Sequence, residues 1–285
     1  MLTWVPPSVK RRLRGHWKSL RLAVVRASCA FSAADFLQAV RNMGIGVGDM
    51  LLVHSSLDQF EAFKGKPTDV ISLLQEAVGP SGTLLLPTLP YSGTAVDYAN
   101  ESGVFDVNKT PSKMGLLTEL FRRTPGVIRS VHPTHAVAIW GAAAAELAAG
   151  HSEANTPCGA GTPYARLLER KGKILFLGCD IDSMTFFHTI EELLEPRMPF
   201  SPFTRELYVL QSRDVEGHIR VTRTRLFEPS YSRKRNLEKM IPILKQRGAW
   251  QEKRVGTLHM LLLEAQQVWA ACETLASQGI YCYEA

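Results

Sequence analysis

Short apolar runs closed by turn residues recur along the chain. Met50–Val53 follows Asp49, Thr83–Leu86 stops at Pro87, and Ile174–Leu177 stops at Gly178. Runs of this length with such boundaries predict buried strands. Further strands are predicted over Thr134–Trp140 and Val255–Leu262. Between them the apolar positions fall at helical spacing. Helices are predicted over 33–43, with Ser32 as cap and Gly44 as stop, and over 67–76, 114–123, 142–149, 164–170, 232–247 and 264–277. Residues 203–226 read as an antiparallel hairpin turning near Asp214–Gly217. This order predicts an α/β fold with a mixed central sheet, helices on both faces and the hairpin in the C-terminal half. A single domain over 31–285 follows a basic extension over 1–30.

Residues 173–195 carry the pattern richest in chemistry. After the apolar run, Asp180, Asp182 and Ser183 are turn and cap types, and an apolar helical period runs through Phe186, Ile190 and Leu194. His188 and Glu191 are three apart, on one face of that helix. A carboxylate beside an imidazole raises its basicity and fixes its tautomer. The pair follows the carboxyl end of a strand, where open α/β sheets place ligand sites. It has the form of a general base with its orienting partner. The plainer reading is a helix histidine capping a neighbour, and the residues alone leave both readings open.

Other stretches add candidates. His54-Ser55-Ser56-Leu57 sits at the end of a strand and offers hydroxyls and backbone N–H groups to a carbonyl or phosphate. Residues 90–113 form a long polar loop with Tyr91, Asp97, Tyr98, Glu101 and Asp106, suited to a cationic, sugar-like ligand. Glu192, beside Glu191, joins Tyr91, Asp97 and Asp106 as a candidate acceptor contact. Arg129-Ser130 precedes two histidines, His132 and His135, and an arginine there could grip a phosphate.

Charge and cysteine usage sharpen the picture. The net charge of +6 is uneven. Residues 1–30 carry seven Lys or Arg and no acid, and residues 197–254 carry 14 bases against 6 acids. The intervening half, with the candidate chemistry, is acidic. Val9, Leu13, Trp17, Leu20 and Val24 make a basic amphipathic helix over 9–26. Such a helix suits an anionic membrane surface, although docking on the protein's own core is the commoner use. No aromatic-interleaved nucleic-acid module is present. Five scattered cysteines without a CxxC predict free thiols in a reducing cytosol. No apolar run approaches the ~20 residues of a bilayer span, and no signal peptide is expected.

Five motifs in order resemble one family. They are His54-Ser55-Ser56-Leu57, the Gly82–Thr88 strand, Thr110-Pro111-Ser112-Lys113-Met114-Gly115, Arg129-Ser130-x-His132-Pro133, and Thr185-x-x-His188-x-x-Glu191. With the terminal Val255-Gly256-Thr257, they are similar over roughly 31–285 to the aminoglycoside 3-N-acetyltransferases of the antibiotic acetyltransferase type, which are not the GNAT fold. The resemblance implies acetyl-CoA as donor, a primary amine of an amino sugar as acceptor, and His188 and Glu191 as catalytic residues. It implies that His54, Ser55, Ser56, Leu57, Thr110, Ser112, Met114, Arg129, Ser130 and His132 line the CoA and acetyl site. No metal is expected. The chain departs from the family at Gly65-Lys66-Pro67-Thr68 and Ala136, so an amino sugar of polysaccharide or nucleotide-sugar synthesis stands beside a drug as acceptor. Three rivals remain: a zinc hydrolase using His54, His132, His135, His188 and Glu191; acyl transfer through Cys158 or Cys179; and a CoA- or sugar-binding homologue without catalysis.

Overall fold

The computed structural model describes residues 24, 25, 27–101 and 103–284. The predicted amphipathic helix over 9–26 lies almost wholly outside them.

Seven strands form the main sheet: β1 (Met50–Ser55), β2 (Thr83–Pro87), β4 (Ile128–Arg129), β5 (Val137–Gly141), β6 (Lys173–Leu177), β9 (Gln251–Val255) and β10 (Leu258–Glu264). Their order is β4-β5-β2-β1-β6-β10-β9. β1 pairs in parallel with both β2 and β6, and the outer strands pair antiparallel, so the sheet is mixed as the sequence predicts. A smaller sheet holds β3 (Phe105–Asp106), β7 (Tyr208–Arg213) and β8 (Ile219–Thr224).

The central strands are apolar at successive positions because both faces are covered. Leu52, Leu85, Ile174, Phe176 and Leu261 join one core layer, with Tyr164, Ile190, Leu194, Val268 and Leu275 from helices. Their neighbours Leu51, Val53, Leu84, Leu175 and Leu262 join the other, with Phe36, Val40, Ile71, Leu74 and Phe121. Helix Ala33–Asn42 begins in a capping box between Ser32 and Asp35. Helices Pro67–Val78 and Ala265–Ser277 also lie where the sequence predicts them.

Three expectations change. The polar stretch 90–113 contains helix Ala95–Glu101, opened by mutual Thr94 and Asp97 hydrogen bonds. The strand predicted over Val255–Leu262 is a hairpin, because Gly256 (φ 56°) turns the chain between β9 and β10. The long helix predicted over 232–247 is broken into Pro229–Ser232, a 3₁₀ turn Leu237–Met240 and helix Ile241–Gln246. Between them Arg233 and Lys234 turn the chain, and Arg235 bridges antiparallel to Tyr283.

No helix among the described residues is long and apolar enough to cross a membrane. All five cysteines are free thiols.

Candidate active site

β6 delivers the chain to the site. Gly178 (φ 69°) makes the turn, where a Cβ would meet Ser56 O at 2.9 Å. A 3₁₀ turn over Ile181–Ser183 leads to helix Phe187–Leu194. On this helix His188 Nδ1 lies 2.6 Å from Glu191 Oε2. Glu191 is fully buried and ionised, so Nδ1–H donates and Nε2 is left as the lone-pair nitrogen. Burial works to raise the Glu191 carboxyl, but Arg235 and the His188 hydrogen bond outweigh it and hold it down at about 2. Arg235 Nε donates to Glu191 Oε1 at 2.6 Å, and the Tyr283 hydroxyl donates to the same oxygen.

Phe227 stacks on the imidazole at 4.0 Å and 25°, and His135 meets it edge-on at 5.5 Å. Burial and the charge of Arg235 push His188 below the usual histidine range, more than Glu191 raises it. Glu191 raises the ring as expected, but burial and Arg235 outweigh it. The ring is neutral at pH 7, with its tautomer fixed.

His188, Ser232 and Arg235 are shared by two clefts. One, of about 230 Å³, is completed by residues that include Leu89, Tyr91, Thr94, Met114, His135 and Phe227. The other, of about 330 Å³, runs along Asp182–Thr185, Phe187 and Leu237. One side chain is thus open to two compartments. Of the residues singled out in the sequence, His188, Tyr91, Met114 and His135 line the first cleft and Asp182 and Ser183 the second, with Glu191 directly behind His188.

The remaining candidates lie elsewhere. Arg129 is buried and spends four hydrogen bonds inside the protein. Nε donates to Thr88 Oγ1 (3.0 Å), Nη1 to Val107 O (3.2 Å) and Thr110 O (2.6 Å), and Nη2 to Thr88 O (2.6 Å). Its guanidinium lies over Phe105 at 4.7 Å. It rivets these loops together and lines neither cleft at His188. Ser130 Oγ accepts from Val137 N and contacts His151, and His132 Nδ1 accepts from His135 N. Both residues are fully buried.

Thr110 Oγ1 accepts from Asp106 N, and Ser112 Oγ contacts Thr118. Asp106 accepts from Asn108 N and Lys109 N, and Asp97 is turned to Thr94. These four organise the loop and line neither cleft.

His54 is buried against Phe176, and burial pushes it down to about 3. Ser56 N–H is taken by Leu177 O at 2.9 Å, so that group is not free for an oxyanion. Leu57 packs on the second core layer, and Ser55 ends β1. None of the four lines either cleft.

Glu192 also turns away. It accepts from Thr156 Oγ1 and from Cys158 N at 2.9 Å, pinning that loop. Burial pushes its carboxyl up to about 7. A raised carboxyl binds its proton more tightly folded than unfolded. Its contribution to stability is therefore full below about pH 4.5 and fades as pH rises through 7. Glu192→Gln is expected to flatten this slope, changing stability at pH 8 relative to pH 5 by at most about 3 kcal/mol; urea titrations at the two pH values check it.

The zinc alternative finds no geometry in its five residues. Among the described residues the one trio with ligand atoms within 4.8 Å is Asp214, Glu216 and His218, at the hairpin turn. Sequence reasoning missed Arg235, Tyr283, Phe227 and Ser232. No local motif marks them, since Tyr283 reaches Glu191 from 92 positions away. His135 was signalled by its place beside Arg129-Ser130 and His132.

Comparison with known proteins agrees with this architecture. Aminoglycoside N(3)-acetyltransferase IX of Micromonospora chalcea is 32% identical over 169 residues, 55% of this chain and 60% of that one. Aminoglycoside N(3)-acetyltransferase III of Salmonella sp is 32% identical over 170 residues, 55% and 59% of the two chains. The matched stretch spans about 60% of the length of these curated relatives. Among solved structures, AAC-VIa bound to sisomicin superposes with a TM-score of 0.71 at 26% identity, covering 87% of this chain and 98% of that one. AAC-IIIb in binary complex with CoASH shares the fold, with a TM-score of 0.73 at 20% identity over 90% and 99% of the chains. The model of the aminoglycoside 3-N-acetyltransferase family matches residues 52–276, and the chain belongs to that family.

Proposed function

We propose that the protein transfers the acetyl group of acetyl-CoA to an amine of an amino sugar, with His188 as general base. The observation that carries this is one neutral imidazole, fixed by an ionised carboxylate, shared by two clefts. Direct transfer needs this arrangement, because donor and acceptor must reach one proton acceptor from different sides.

The unprotonated amine attacks the thioester carbonyl and forms the C–N bond. The proton it loses passes to His188 Nε2, and Glu191 with Arg235 behind it stabilises the imidazolium. The tetrahedral intermediate then collapses, the C–S bond breaks, and His188 returns the proton to the departing thiolate. Phe227, stacked on the ring, and His135, at its edge, hold its orientation. Family membership supports acetyl transfer, and the CoASH and sisomicin complexes of related folds support the two ligand classes.

A covalent route through cysteine is not favoured. Cys158 is buried, lines neither cleft, and burial pushes its thiol well above the usual range. Cys179 is also pushed up by burial. Cys158→Ala and Cys179→Ser are expected to keep turnover within about threefold of wild type, against losses of ~10² or more for an essential nucleophile. Thiol release from acetyl-CoA with a panel of amino sugars tests the reading. Acetyl-CoA-dependent acetylation of an amine supports it; absence of turnover with every amine tried would overturn it.

A further inference from the structure

We infer that Tyr91 is a catalytic residue of this transfer, its phenolic O–H donating to the acetyl carbonyl oxygen as that oxygen becomes an oxyanion. The inference rests on acetyl transfer at His188. It supplies a donor that the Ser56 N–H, spent on Leu177 O, does not.

The fold places the hydroxyl. β2 and β5 pair antiparallel with Pro87 opposite Val137, and Thr88 extends the pairing by donating to Ala136 O from both its N–H and its hydroxyl. Tyr91 follows at once and is set beside His135, whose own carbonyl is held by the buried Tyr164 hydroxyl. The partner of the Tyr91 hydroxyl is His135 Nε2, 3.3 Å away.

Proton accounting fixes the direction of that contact. Burial pushes His135 well below the usual histidine range, so the neutral ring carries one proton. His132 Nδ1 already accepts from His135 N at 3.0 Å and from Thr134 N at 3.3 Å. The Thr134 hydroxyl proton therefore goes to the nearer His135 Nδ1, at 2.9 Å against 3.4 Å for His132. With Nδ1 accepting, His135 carries its proton on Nε2 and donates it to Tyr91. The Tyr91 O–H is left over, and burial pushes the phenol up, so it keeps that proton.

Tyr91, His135 and His188 line one cleft, with the two imidazoles 5.5 Å apart. Base and donor thus address one reacting carbon from neighbouring walls. Two other hydroxyls of this cleft are worse placed. Thr94 donates to Asp97 Oδ2 at 2.7 Å, and Ser92 is exposed to water. An oxyanion gains most from a donor aimed beforehand, because nothing reorganises as the charge appears. As the amine nitrogen bonds to the carbonyl carbon, the C=O π pair moves onto oxygen and is held by Tyr91 without proton transfer. On collapse that pair reforms C=O, the C–S bond breaks, and the thiolate takes its proton from His188.

Initial rates of the full chain test this, with acetyl-CoA and sisomicin or, where sisomicin is not accepted, the best amine of the thiol-release panel. Tyr91→Phe is expected to lower kcat by ~10² to 10³, the usual worth of one oxyanion donor. KM for either substrate should change by less than about threefold, and the acid limb of kcat, set by His188, should stay at its wild-type pH. Thr134→Val removes the donor that fixes the His135 tautomer. It should lower kcat by about threefold or more in the wild-type background and add nothing in Tyr91→Phe.

A Tyr91→Phe protein whose kcat stays within about threefold of wild type overturns the inference and leaves acetyl transfer standing; a rise in KM for the amine alone makes Tyr91 an acceptor contact instead. A loss of kcat with a displaced acid limb assigns Tyr91 to orienting His188 and also overturns it. So does a Thr134→Val loss that adds in full to that of Tyr91→Phe. Turnover of no amine by the wild type, with acetyl-CoA bound, removes the acetyl-transfer reading and this inference with it.

Discussion

Replacing His188 with Ala is expected to lower kcat by ~10² to 10⁴, the usual worth of a positioned general base. The fold should survive. The side chain is only 16% exposed, but it stacks on Phe227 at the edge of a cleft and its neighbours Phe187 and Ile190 hold the helix in the core. Affinity for acetyl-CoA should change by less than about threefold, because the ring is assigned to proton transfer and not to donor binding.

The pH dependence has a defined sign. Burial and Arg235 depress His188, so the ring is already in its accepting form at pH 7. Wild-type kcat should hold as pH falls through 6.5 and drop only below it, as the ring takes up a proton. Glu191→Gln removes the partner that raises the ring and stabilises its cation. It should lower kcat and carry the acid limb to still lower pH. Steady-state kinetics from pH 5 to 9 on both variants check these outcomes.

The second large effect concerns stability. Arg129→Met is expected to destabilise the protein by ~3–5 kcal/mol, measured by urea unfolding. The substitution retains bulk against Phe105 but abandons the carbonyls of Thr88, Val107 and Thr110 and the Thr88 hydroxyl. Arg129→Lys should restore little, since one ammonium cannot span acceptors set for a planar fork. KM for acetyl-CoA in whatever folded protein is recovered should be near wild type. A stable Arg129→Met protein whose KM for acetyl-CoA had risen tenfold would return the residue to phosphate binding.

The contrast between His188 and Arg129 shows where sequence is informative. The His188–Glu191 pair was legible because helical spacing alone puts positions three apart on one face, and Gly178 with the cap residues announced the helix that follows β6. The two-layer sheet was legible because strands buried on both faces must be apolar at successive positions, as Leu51 to Val53 and Ile174 to Leu177 are.

Arg129 was not legible. An arginine among polar residues looks the same whether its donors meet a ligand or three main-chain carbonyls, and those carbonyls belong to a loop up to 41 positions distant. Arg235 and Tyr283 were hidden for the same reason. Their partnership with Glu191 depends on a break in what reads as a continuous helix over 232–247. Pairing with the C-terminal segment overrides that local preference. Asp97, Asp106 and Glu192 show the limit of composition. Acidic side chains near a cleft look like ligand contacts in the sequence, and each instead satisfies hydrogen-bond donors of the protein itself, local ones for Asp97 and Asp106 and the Thr156–Cys158 loop for Glu192.

Chemical rescue tests the central claim, that one neutral imidazole takes the proton from the incoming amine. Free imidazole is added to His188→Ala with acetyl-CoA and an accepted amine, and acetyl transfer is followed by thiol release. The predicted result is a low basal rate that rises with the concentration of neutral imidazole and does not respond to imidazolium. A variant that turns over near the wild-type rate without added imidazole would contradict the account.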